Sequence, residues 1–148
     1  MRLYQHVVAS GFVSGVVYGV TRSPTIAAVC FFTGFLVDLD HLLDYWMSYP
    51  LRFDLPHFFK TCEEYKLVKV HLWLHSLELL PILALITWFT RSAAIAGFTI
   101  GLAQHLLFDY LANRIYPESY FVLYRWGMGF VNEKVFDVPE EFRNGHRS

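Results

Sequence analysis

Charge is nearly absent from four stretches of this chain, residues 3–21, 23–37, 70–90 and 92–108, the third interrupted only by Glu78. A membrane-spanning helix needs about twenty mainly apolar residues. Each stretch reaches that length only by carrying the polar residues at its end. The pattern predicts helices at 4–21, 24–46, 68–90 and 92–113, with Pro24 in a first turn, where its missing N–H costs nothing. Pro81 is expected to kink the third helix. The fold class that follows is all-α: an integral membrane bundle of about four antiparallel helices, with an interfacial loop between the second and third and a C-terminal tail. The chain reads as one domain, 1–148, with core helices at about 4–113 and the tail at 114–148. Neither an internal repeat nor a low-complexity linker interrupts it.

Composition strengthens the membrane reading, since 55% hydrophobic against 17% charged residues is too apolar for an ordinary soluble domain of this size. A net charge of -1 removes the electrostatic case for nucleic acid. Cys30 and Cys62 stand far apart and read as free thiols. Thr21-Arg22-Ser23-Pro24 follows the first apolar run where a secretory signal would show a small-residue cleavage site, so that helix is expected to be retained.

Lys and Arg set the orientation. Arg2, Arg52, Lys60, Lys66, Lys69, Arg114, Arg125, Lys134, Arg143 and Arg147 share one side of a four-span topology, and only Arg22 and Arg91 fall on the other. This bias places both termini in the cytoplasm, in a multi-pass protein of the cytoplasmic (inner) membrane. Tyr45, Trp46, Tyr49, Phe58, Phe59, Trp73, Tyr116, Tyr120, Tyr124 and Trp126 crowd the same level and read as interfacial anchors. Gly11, Gly15 and Gly19, and Ala93, Gly97 and Gly101, form stripes of small residues that let helices approach closely or let the chain self-associate into a homo-oligomer.

The same topology gathers the metal-ligating side chains at the cytoplasmic edge. His6 begins the first helix, Asp38-Leu-Asp-His41 ends the second, His71-Leu-Trp-Leu-His75-Ser begins the third, and His105-Leu-Leu-Phe-Asp109 ends the fourth. Helical residues three or four apart share a face, so Asp38 pairs with His41, His105 with Asp109, and His71, His75 and Glu78 form one stripe. Ionisable groups at membrane depth are costly and mark function, and imidazole with carboxylate suits zinc, iron or manganese. A dinuclear centre is the sharp reading; interhelical hydrogen bonding among the same residues is the bland one. Asp40 points away from Asp38 and His41 on a regular helix, which makes it a supporting group or general base. His57 and His146 lie outside the constellation.

In order and local sequence, His6, Gly34-Phe-Leu-Val-Asp38-Leu-Asp-His41, His75-Ser76 and Gly101-Leu-Ala-Gln-His105-Leu-Leu-Phe-Asp109 resemble the bacterial and archaeal membrane-bound metal-dependent hydrolases, over roughly residues 4–113. That family is thought to be distantly similar to the zinc-dependent phospholipase C superfamily. Val37 and Leu74 stand where the family usually has Pro and Thr. The resemblance implies a phosphoester hydrolase in which His6, Asp38, His41, His75, His105 and Asp109 ligate metal.

The sequence therefore leads to a membrane-bound hydrolase with two divalent ions, zinc favoured, acting on a lipid or lipid-linked phosphate at the bilayer through a metal-activated water. Asp40 or Glu78 would accept the proton, and Lys60, Lys66, Lys69 or Arg125 would meet the phosphate. The alternatives are a metal-binding membrane protein or transporter without catalysis, and a purely structural helical bundle. A transporter should hold its ligands near the midplane instead of at one edge.

Overall fold

The computed structural model describes residues 3–50, 52, 54–113 and 115–136. Arg2, Arg114, Arg143, Arg147 and His146, which entered the reading of the sequence, lie outside the described residues. The protein is all-helical, with no strand among the described residues beyond an isolated bridge between Lys69 and Val131. It divides into two compact units, residues 1–38 with 74–113, and residues 39–73 with 114–148.

The first unit comprises α1 (Leu3–Thr21), α2 (Pro24–Leu36), α5 (Leu79–Thr90) and α6 (Ala93–Ala112). α1 packs on α2 and α6, α2 on α6, and α5 on α6. The two hairpins close on the same turn. Thr21 and Thr90 each bond back to the carbonyl four residues earlier, at 2.8 Å in both cases. Arg22 and Arg91 then take left-handed conformations, with φ of 54° and 52°. Ser23 and Ser92 cap the helices that follow, accepting from the backbone N–H of Ile26 and Ile95. Around this shared Thr-Arg-Ser the sequence also repeats: Leu3-Tyr-Gln-His6 precedes the first turn at the same spacing as Leu72-Trp-Leu-His75 precedes the second. The two hairpins thus share a turn and the position of a histidine before it, and little else.

Pro24 sits at the start of α2 as expected. Pro81 produces no interior kink: α5 begins at Leu79, so Pro81 lies in its first turn, where its N–H would have had no partner. The small residues divide unequally. A Cβ at Gly97 or Gly101 would lie 2.6 Å from the carbonyl oxygen of Ile26 or Cys30, so α6 and α2 touch backbone to backbone. A Cβ at Gly15 or Gly19 would meet nothing within 4 Å, so the α1 stripe is not a packing seam inside this unit.

By length and composition, two helical stretches are suited to crossing a membrane, Pro24–Ser48 and Ala93–Ala112; α5 is apolar but shorter. α1 matches them in length yet carries Gln5, His6, Ser10 and Ser14.

The second unit contains α3 (Asp40–Ser48), reached from α2 through a 3-10 turn at Val37–Leu39, then α4 (Leu55–Glu63), a 3-10 turn at Pro117–Tyr120, α7 (Val122–Gly127) and α8 (Asn132–Val135). Tyr45, Phe58, Leu67, Val70, Leu72 and Val135 form its core. Tyr45, expected as an interfacial anchor, is buried there and bonds His57 Nδ1 at 2.9 Å. Arg125, expected to face a substrate phosphate, is fully buried and donates to the carbonyls of Leu72 (2.9 Å) and Ser119 (2.5 Å), so it braces two segments of backbone.

The third predicted helix, 68–90, is eleven residues too long at its N-terminal end, since α5 begins at Leu79. Residues 66–78 form turns and extended backbone, and no face carries His71, His75 and Glu78 together. The cause is Asp44, whose buried carboxylate accepts the backbone N–H groups of His71 (2.7 Å) and Leu72 (3.1 Å) and the His71 Nδ1–H (2.7 Å). Those N–H groups are thereby withdrawn from any helical ladder, and Leu72 takes a φ of 45°.

Candidate metal centre

Five of the residues singled out in the sequence meet inside the first unit. His6 lies in the first turns of α1, Asp38 in the 3-10 turn after α2, His75 just before α5, and His105 with Asp109 one turn apart on α6. His6 Nε2 is 3.0 Å from Asp109 Oδ1 and 4.0 Å from Asp38 Oδ2. His105 Nε2 is 3.1 Å from His75 Nε2, 3.6 Å from Asp38 Oδ1 and 3.5 Å from Asp109 Oδ2. His75 Nε2 is 3.7 Å from Asp38 Oδ1 and 3.9 Å from Asp109 Oδ2. The His6 and His105 rings stack with centroids 4.0 Å apart, and His75 meets His105 edge-on at 5.0 Å.

Donor atoms bound to one ion at about 2.0–2.2 Å lie roughly 3–4 Å from one another. The separations here fall in that range, and one ligand atom from each of His6, Asp38, His105 and Asp109 lies within 4.8 Å of the others. The chemistry of the set agrees. His105 Nδ1 donates to the carbonyl of Gly34 at 2.9 Å, which puts the proton on that nitrogen and turns the Nε2 lone pair toward the cluster. A backbone carbonyl fixing the tautomer in this way is the usual support of a metal-bound imidazole. His105 Nε2 therefore faces His75 Nε2 and two carboxylates as an acceptor, an arrangement that a cation between them would relieve.

The support for this geometry lies in the close approach of α2 to α1 and α6. A Cβ at Gly34 would stand 1.8 Å from Gln104 Nε2 and 2.2 Å from Ser10 Oγ. Only glycine lets the Gly34 carbonyl reach His105 while Gln104 Nε2 donates to Ser10 Oγ at 2.7 Å. Burial is nearly complete for His6, His75, His105 and Asp109; Asp38, with a quarter of its side chain exposed, marks the open side.

The remaining predicted site residues lie on other elements. Glu78 stands at the N-cap position of α5 and is not among the converging donors. Asp40 and His41 open α3 in the second unit; Asp40 is buried, and His41 lines a small cavity there with Cys62, Tyr65 and Asn132. His71 joins Asp44 in the second unit and is separated from His75 by the loss of helix between them. Reading the sequence overlooked Asp44 altogether. Its signal was present, since Asp40 and Asp44 stand one helical turn apart and share a face. Among the described residues, Cys30 and Cys62 form no disulfide. In comparison with known proteins, the chain matches no protein-family model, no curated protein and no solved structure.

Proposed function

We propose that this protein is a membrane-bound metal-dependent hydrolase that cleaves a phosphoester of a lipid or lipid-linked substrate. The observation that carries this reading is the meeting of three imidazoles and two carboxylates, with donor atoms 3.0–4.0 Å apart, in an apolar helical unit. A buried set of this kind would hold divalent zinc, manganese or iron, which when bound lowers the pKa of water and polarises a phosphoryl oxygen. Asp38 and Asp109 offset the cationic charge, His105 keeps its lone pair inward through Gly34, and the exposed edge of Asp38 gives a substrate its approach. Glu78, in the same unit, is the proposed proton acceptor. The unit would sit in the cytoplasmic membrane, crossed by Pro24–Ser48 and Ala93–Ala112, with the donors at the cytoplasmic headgroup level, where lipid phosphates lie.

The second reading is a membrane protein that binds metal without catalysis. The burial of four of the five donors favours it, because a closed set of ligands stabilises a fold and leaves few positions for a substrate. Elemental analysis of detergent-purified protein counts the ions: two equivalents accord with a dinuclear hydrolase, one with either reading, and none sinks both. A panel of phospholipids, lipid-linked phosphates, carboxyl esters and amides, assayed with metal added back, separates the two readings. Metal-loaded protein that hydrolyses nothing across the panel ends the enzyme reading. Asp109→Asn should lose both metal and turnover while the helices stay assembled.

A further inference from the structure

At the far end of the first unit, around the Thr90-Arg91-Ser92 turn, α5 rests on α6 and leaves much of its surface uncovered. None of its residues is buried, although it is apolar apart from Thr87 and Thr90. Between α5, α6 and the first turn of α2 lies a cleft of about 470 Å³, within the roughly 300–1,000 Å³ of small-molecule sites. Ala84, Ala96 and Ile100 contribute to its apolar walls. The hydroxyls that line it are satisfied by the protein: Thr87 and Thr99 bond each other at 3.1 Å, and Thr99 also donates to the carbonyl of Ile95 at 2.8 Å. The walls therefore make no demand for water, and hydrocarbon suits them better than a polar solute.

One end of the cleft is different. Arg91 lies there with its guanidinium carbon 4.4 Å from the centroid of the Trp88 indole, which fixes the cation at the mouth. No carboxylate pairs with it among the described residues, whereas Arg52, Lys60 and Lys66 each have one. A cation at one end of an apolar cleft matches a molecule with an anionic head and a hydrocarbon tail.

We propose that this cleft binds an anionic phospholipid, with an acyl chain between α5 and α6 and the phosphate against Arg91. The proposal rests on the membrane reading above but not on the metal centre, which lies at the other end of the same helices.

The test uses the full-length protein in nanodiscs of phosphatidylcholine mixed with phosphatidylglycerol, followed by native mass spectrometry of the released protein. One phospholipid should remain bound, with phosphatidylglycerol enriched several-fold over its share of the disc. Arg91→Gln should keep the bound lipid and abolish that enrichment, and Ala96→Trp, which fills the cleft, should lose the lipid. Retention by Ala96→Trp equal to wild type, or enrichment unchanged in Arg91→Gln, overturns the site. So does a wild-type dimer that Ala96→Trp converts to monomer, since the occupant is then a second copy of the chain. Wild type that enters the discs yet retains no lipid overturns the cleft alone, and wild type that never enters them overturns the membrane reading along with it.

Discussion

Replacing Gly34 by Ala tests whether the inner geometry of the candidate metal centre depends on one close approach. The new methyl would need space 1.8 Å from Gln104 Nε2 and 2.2 Å from Ser10 Oγ. Either side chain could swing aside on a surface, but both residues are buried and bonded to each other at 2.7 Å. Overpacking of this kind costs about 1–3 kcal/mol, and losing the Gln104–Ser10 bond adds about 1 kcal/mol. The total, about 2–4 kcal/mol, corresponds to a fall in Tm of roughly 5–15 °C for a chain of this size. A shifted α2 also withdraws the Gly34 carbonyl from His105 Nδ1, so metal content should fall with stability. Thermal unfolding in detergent and metal quantification on the same preparation read both effects. Gly34→Ala combined with Gln104→Ala removes the worst collision and should recover part of the Tm. A single Gly34→Ala protein with wild-type Tm and full metal content would refute the reasoning, because the donors would then not depend on this packing.

Three further outcomes follow. His105→Ala and His75→Ala should each strip most of the bound metal, whereas His71→Ala should keep it and instead destabilise the second unit, by about 1.5–3 kcal/mol for a hydrogen bond to a charged group; metal quantification and thermal unfolding separate the two. Chelation should lower the Tm of wild type but leave His105→Ala unchanged, as differential scanning fluorimetry with and without chelator would show, since an ion that binds only the folded state stabilises it. Asp54 caps α4 by accepting the His57 N–H at 3.0 Å, which holds its carboxyl below the ordinary range, with a further hydrogen bond from Arg52. That contribution is present above the unfolded value of about 3.9 and is lost as pH falls through the lower folded value. Thermal unfolding of wild type and Asp54→Ala should therefore differ at neutral pH and converge in strong acid.

Much of the first unit was legible because local signals and topology agreed. Ser23 with Pro24, and Ser92, mark helix starts that the structure keeps, and His105 with Asp109 is one helical turn on α6. Proximity of His6, Asp38, His75, His105 and Asp109 follows from apolar runs joined by short turns. The second unit was illegible for a nonlocal reason. Nothing between Lys66 and Glu78 breaks a helix by itself, with neither Gly nor Pro in that stretch. Asp44, more than twenty residues earlier, takes the N–H groups a helix would need. The role of Arg125 was hidden likewise, because a charged residue near a membrane surface reads as exposed until the carbonyls of Leu72 and Ser119 are seen to enclose it.

The first unit is two hairpins closed by the same Thr-Arg-Ser turn, each with a histidine at the same distance before it, His6 in one and His75 in the other. Beyond those, the first hairpin supplies Asp38 and the second His105 and Asp109, so the donors are divided between them. Neither hairpin by itself could surround an ion, and the donor set exists only while the two are packed together. It also has a direction: the side that Asp38 leaves exposed belongs to the first hairpin, and the deeply buried wall of His105 and Asp109 to the second.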